Sequence, residues 1–249
     1  MTIDPLPPVA PLPVPDVVSE LAGARGTGRT GMLHVLGDPG GGLRLRGGLV
    51  IAIESPGAPG VFDLLARPGR SCPGRTELRA IEEMAALDAC FAIASGRIDE
   101  CVWDATESGH ADAAEPAARG LALDPAEVIA ETRRRLFALP ARGLSPHRNR
   151  LALTDYGRAL RDSSDAGQRR DILTHIDGRR SCRDIAFRLG RCLYPVTVEV
   201  VRLLAENAVV PATARTCRPV AAPQTGAAPL PHRRRGASGI NELYPPSTP

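Results

Sequence analysis

Between Gly31 and Ser55 the sequence leaves few choices: three short apolar runs, GMLHVLG, LRLR and LVIAIES, are separated by DPGGG and by Gly47-Gly48. In the middle run Leu43 and Leu45 alternate with Arg44 and Arg46, the period of two that turns one strand face to a core and the other to water. Glycine-rich punctuation this short supports hairpins and not crossovers, so the segment reads as a three-stranded antiparallel meander. A meander this small is not stable until something covers its apolar face.

Covering helices are available nearby. The stretches Val61–Ala66, Glu77 to about Ala94 (Leu78, Ile81, Met84 or Ala85, Leu87) and Pro125–Leu139 have helical spacing, and a short helix from Asp16 to about Ala24 precedes the meander with Val17 and Leu21 on one face. Asp124-Pro125 supplies a cap and a first-turn proline. In that last helix Val128, Thr132 and Leu136 stack while Arg133 and Arg134 can point outward. IDECVWDA, after Gly96, reads as a further strand. Residues 16–139 are therefore expected to form one α+β domain.

A linker, residues 140–164, is expected next, followed by a helical unit over 165–211. Its first helix runs from Asp165 to Ile176, with Ile172, Leu173 and Ile176 inward. Ser181, with Asp184 three residues on, starts the second, striped by Cys182, Ile185, Ala186 and Leu189 and closed by Gly190. Pro195 opens the third, whose stripe is Val196, Val200, Leu203 and Leu204. Asn207 and Val209-Val210 then suggest a stop and a short strand. Three short helices and a terminal strand have the shape of a helix-turn-helix or winged-helix module, a shape that protein-binding trihelical units share.

The two ends differ from all this. Residues 1–15 (with PLPPVAPLPVP) read as a disordered proline-rich arm, and residues 212–249 as a disordered tail carrying the basic run His232–Arg235. With 24 Pro and 25 Gly in 249 residues and only 3% aromatic content, the folded part is expected to have an aliphatic core of modest size. A run so rich in proline forms neither a membrane helix nor a signal-peptide core, and the six cysteines contain no C-x-x-C pair. The expected setting is cytoplasmic and reduced, with no membrane.

Charge divides the chain. All 31 basic residues are Arg, a coding bias more than a function, but Asp16–Leu139 holds 13 Arg against 18 acids while Pro140–Arg202 holds 13 Arg against 7. The basic half points to an anionic partner or to a solvated arginine surface. The candidate DNA contacts are Arg179, Arg180, Arg183, Arg188 and Arg191 around the first two helices, with Thr197 and Arg202 on the third. That third helix offers little else: Val198 is apolar, and Glu199, which could accept from cytosine, would repel phosphate.

Enzymatic signals are weak. GARGTGRT at 23–30 fits a phosphate-loop pattern except that Arg29 replaces lysine, but here a helix precedes and a strand follows, the reverse of the order such a loop needs. His34, His110, His147, His175 and His232 are scattered without metal-ligand spacing, and no nucleophile–base arrangement is visible. No catalytic residue, metal or cofactor is expected.

The quoted segments, TGMLHVLG, LRLRGGLVIAIES and LDPAEVIAETRRRLFAL, resemble the PATAN-type domain of bacterial signalling and gliding-motility proteins. ILTHIDGRRSCRDIAFRLGR with YPVTVEVVRLL resembles the trihelical unit that accompanies it in bacterial proteins described as transcriptional regulators. The resemblance covers about three-quarters of the chain and implies a regulatory, non-enzymatic protein. It leaves two activities open: a transcriptional regulator binding DNA through residues 165–211, or a signalling adaptor working only through protein partners, with the α+β domain as one such surface.

Overall fold

A computed structural model describes residues 17–66, 73–104, 121–139, 144–163, 165 and 167–212. The proline-rich arm, Asp16, the loop holding His110, and the tail from 213 onward lie outside the described residues. The meander forms as β1 (Gly31–Asp38), β2 (Gly41–Arg46) and β3 (Leu49–Glu54), and the expected further strand is β4 (Arg97–Asp104). All pairings are antiparallel, and β4 joins the far side of β1 to give the order β3-β2-β1-β4. The β2–β3 turn works because Gly47 and Gly48 both take positive φ, 57° and 79°, the handedness that matches strand twist in a two-residue hairpin.

Register sorts the two faces. Leu33 sits opposite Leu43 and Trp103, and Leu43 opposite Ile53, so Leu33, Val35, Leu43, Leu45, Val50 and Ile53 make one buried face. Onto it pack α1 (Val17–Thr27), through Leu21 and Ala24, and α3 (Arg75–Ala94), through Ala86, Ala89, Cys90 and Ile93. The helix α4 (Pro125–Ala138) adds Val128. As expected, the Asp124 side chain accepts from the Ala126 amide at 2.8 Å. A short α2 (Val61–Leu65) lies against α3 through Leu64. Thus α1, α3 and α4 cover one face of the sheet, and α2 rests on α3.

The stretch read as a linker holds β5 (Leu151–Leu153) and α5 (Asp155–Ser163) in its described part. Then come α6 (Gln168–His175), α7 (Cys182–Leu189), α8 (Leu193–Ala205) and β6 (Val209–Pro211). Ser181 and Asp184 close the capping box at the start of α7, and Gly190 ends that helix in the left-handed region at φ 55°. The strand β6 pairs with β5, upstream of all these helices, and no hairpin following α8 is formed among the described residues.

Ile172, Leu173, Cys182, Ile185, Ala186, Leu193, Val196, Val200 and Leu203 are fully buried between the helices. Each buried Leu or Ile there contributes about 1.5–3 kcal/mol. Phe91 and Ala92 of α3 belong to the same apolar cluster, so the sheet-bearing part and the helical part share a core within one compact unit. Among the described residues no helix is long and apolar enough to cross a membrane.

Candidate functional site

The seven residues read as DNA contacts do not form one free surface. Arg179 and Arg188 are exposed, and Arg202 is exposed beside Glu199, 3.4 Å away. The Arg180 guanidinium donates to the His175 carbonyl at 3.1 Å and pairs with Asp177. Arg183 donates to the Pro56 carbonyl at 2.8 Å and lies over the Phe187 ring, tying α7 to the loop after β3. Arg191 is bound to Asp171 at 2.8 Å and is largely covered. Thr197 is a correction: at 1% exposure its hydroxyl donates to the Leu193 carbonyl inside α8, so it is a core residue and reaches no ligand.

The helix that would read DNA is also committed elsewhere. Glu199 lies 3.9 Å from Arg169, which pairs in turn with Glu206, so the acidic residues of α8 and its C-terminal cap are engaged with α6 while Arg202 stays exposed. Its N-terminus is sealed. Asp88, on α3 and 0% exposed, accepts hydrogen bonds from the Leu193 amide and, at 2.8 Å, from the Tyr194 amide, the first two N–H groups of α8. A carboxylate there meets unpaired amides and the positive end of the helix dipole.

Around Asp88 the joint is built from both parts of the chain. Arg135 of α4 stands 3.9 Å from the carboxylate, is held at 2.7 Å by Glu131, and places its guanidinium over the Tyr194 ring; that ring meets Phe91 edge-on at 5.2 Å. Burial pushes the Asp88 carboxyl up to about 6, against the pull of the two amides and Arg135. The sequence reading passed over this residue, although the signal was there: Asp88 is the one charged residue between Met84 and Ala94.

A second feature lies at the β3 edge of the sheet. A groove of about 810 Å³ is lined by β3, α2, α3 and the exposed end of α7, with Met32 and His34 of β1 and Gly41 and Gly42 of β2. Its floor is apolar, with Ile53, Ala85 and Ala89, and its rim carries Phe62, 88% exposed, and Phe187. Glu54, Asp63 and Glu82 line it, and among the described residues no arginine does. Asp63 accepts from the Gly60 amide, while Glu54 and Glu82 form no ion pair among the described residues. No single segment announced this groove, because its lining comes from six separate elements.

At the phosphate-loop-like stretch α1 runs to Thr27 and β1 begins at Gly31, the helix-then-strand order read from the sequence. The Arg29 guanidinium lies 3.9 Å over the Trp103 ring, whose indole N–H donates to Glu20 at 2.7 Å. The arginine in the place of a phosphate-loop lysine thus stacks on the end of the sheet. No group of three or more His, Cys, Asp or Glu among the described residues could hold a metal ion. His147 sits with Nε2 3.1 Å from both the Ser95 hydroxyl and the Ala92 carbonyl, and burial holds its pKa below the usual histidine value. No protein-family model, curated protein or solved structure matches the chain.

Proposed function

We propose that this chain is a non-enzymatic, cytoplasmic regulatory protein of the PATAN-containing kind that works as an adaptor, by binding other proteins. The observation that carries this reading is the sealed N-terminus of α8. In helix-turn-helix recognition the first turn of the third helix approaches base edges. Here that turn is held by Asp88 against α3, and Thr197, the residue that follows it, is buried. The exposed groove beside β3, with two aromatic side chains at its rim, supports a protein partner.

The second reading is a transcriptional regulator in which residues 165–211 act as a helix-turn-helix or winged-helix-like DNA-binding module. Its support is the arginine excess of that half and the exposure of Arg179, Arg188 and Arg202. Fluorescence anisotropy of the full chain against pooled genomic DNA fragments, titrated with salt, separates the two. The adaptor reading expects no saturable binding even at low salt, with a crosslinked protein partner that survives high salt. Salt-steep DNA binding that is lost when Arg179, Arg188 and Arg202 are all changed to Ala overturns it.

A further inference from the structure

We propose that the groove beside β3 receives an extended, basic peptide segment of a partner protein, which adds to the sheet as a strand along the outer edge of β3. The inference rests on the adaptor reading and names the chemistry of the partner. Its first ground is the edge itself. Leu49–Glu54 reads LVIAIE, an apolar and β-branched strand at the margin of the sheet with no charge before Glu54. Exposed strand edges invite pairing, and proteins usually blunt them with lysine, proline or a covering segment.

Here the cover is partial. Leu123 exchanges two backbone hydrogen bonds with Val50, each 2.9 Å, as an isolated antiparallel bridge. Past that bridge, no described residue pairs with the outer side of positions 51–54. Strand addition supplies affinity through such main-chain groups, and flanking side-chain pockets supply specificity.

The second ground is charge. Among the described residues Glu54 and Glu82 line the groove without an ion pair, Asp63 adds a third carboxylate, and no arginine lines it. An acidic rim over the apolar floor of Ile53, Ala85 and Ala89 fits a strand that alternates cationic and aliphatic side chains, one set reaching the carboxylates and the other the floor. Phe62, almost fully exposed on α2, has no packing role in the free protein, and it would close over such a strand.

The test uses the full chain and three labelled nine-residue probes: alternating Arg and Val, alternating Glu and Val, and the Arg/Val peptide with alternate backbone amides N-methylated. Anisotropy at physiological salt is expected to show saturable binding of the first, at least tenfold weaker binding of the second, and a tenfold loss with the third. Glu54→Gln/Glu82→Gln is expected to weaken the first probe about tenfold and Phe62→Ser several-fold. Both are exposed or rim changes, and unaltered circular dichroism and thermal midpoint establish that the variants fold. No binding of the Arg/Val probe, or N-methylated and parent peptides binding alike, overturns the inference. If a salt-resistant crosslinked partner is retained when Glu54→Gln, Glu82→Gln and Phe62→Ser are combined, the groove assignment fails while the adaptor reading stands; if DNA is bound and no protein partner is, the adaptor reading itself fails.

Discussion

Replacing Asp88 with asparagine keeps the shape of the side chain while removing its charge, and the structure fixes the sign of the effect on stability. The carboxyl is raised from 3.8 to about 6 by burial, so the folded state binds its proton more tightly than the unfolded chain does. A group shifted upward contributes stability that is fully present below 3.8 and is lost as pH rises through about 6. A shift of that size corresponds to roughly 3 kcal/mol, most of it expressed at pH 4. In Asp88→Asn this gain on acidification is absent. The carboxamide can accept from one of the Leu193 and Tyr194 amides, but its NH2 then faces the other, a mismatch of about 1–3 kcal/mol.

At pH 7 that mismatch is largely offset by the relief of burying a charge, so the two proteins should lie within about 2 kcal/mol of each other. The decisive quantity is the difference between them as a function of pH. Urea unfolding followed by the fluorescence of Trp103, the sole tryptophan, gives it directly. The wild-type protein should gain about 2 kcal/mol relative to Asp88→Asn between pH 7 and pH 4. Asp38 and Asp184, whose pKa values are lowered below 3.8, keep most of their stabilisation down to pH 4 and lose it only as pH falls further, and the small part lost above pH 4 is common to both proteins and cancels. Stability curves that run parallel from pH 7 to pH 4 would refute the account of Asp88 as a buried carboxyl gripping α8.

Three further outcomes are expected. Ser181→Ala opens the capping box of α7 and should lower stability by about 0.5–2 kcal/mol in the same urea assay. Gly190→Ala forces a Cβ into the left-handed region at φ 55° and should cost about 1–2 kcal/mol, whereas Gly190→Asn should recover part of it. The Cys182 thiol, fully buried and pushed up to about 12, should resist alkylation in the native protein; peptide mapping after iodoacetamide should label it only once the chain unfolds.

The elements that could be read from sequence were those whose cause is local. The alternation of Leu43 and Leu45 with arginines, the glycine pair at 47–48, the Asp124-Pro125 start and the Ser181/Asp184 box each act within a few residues, and each appears where its chemistry places it. What depended on distant partners was not legible. Arg133, Arg134 and Arg135 are identical as letters, yet Arg135 turns inward because Asp88 and Tyr194 stand beside it. The start of α8 lies at Leu193 and not at Pro195, since Asp88 satisfies the amides of the extra residues and proline tolerates the first turn. Leu151–Leu153 is too short to declare itself a strand without Val209–Pro211, more than fifty residues away.

That last pairing also governs how the helical part would answer to force. Leu151 stands opposite Pro211, and the Ala212 amide donates to the Arg150 carbonyl at 2.7 Å, so the chain enters and leaves the four helices at the same end of a three-residue ribbon. Tension between the two flanking segments loads that ribbon in the unzipping direction, one hydrogen bond after another, instead of shearing all of them together. Leu151 also exchanges backbone hydrogen bonds with Arg180 and Gly178, at 2.9 and 2.8 Å, so peeling the ribbon open draws at once on the loop between α6 and α7: the ribbon is the point at which tension on the flanking segments enters the helical part.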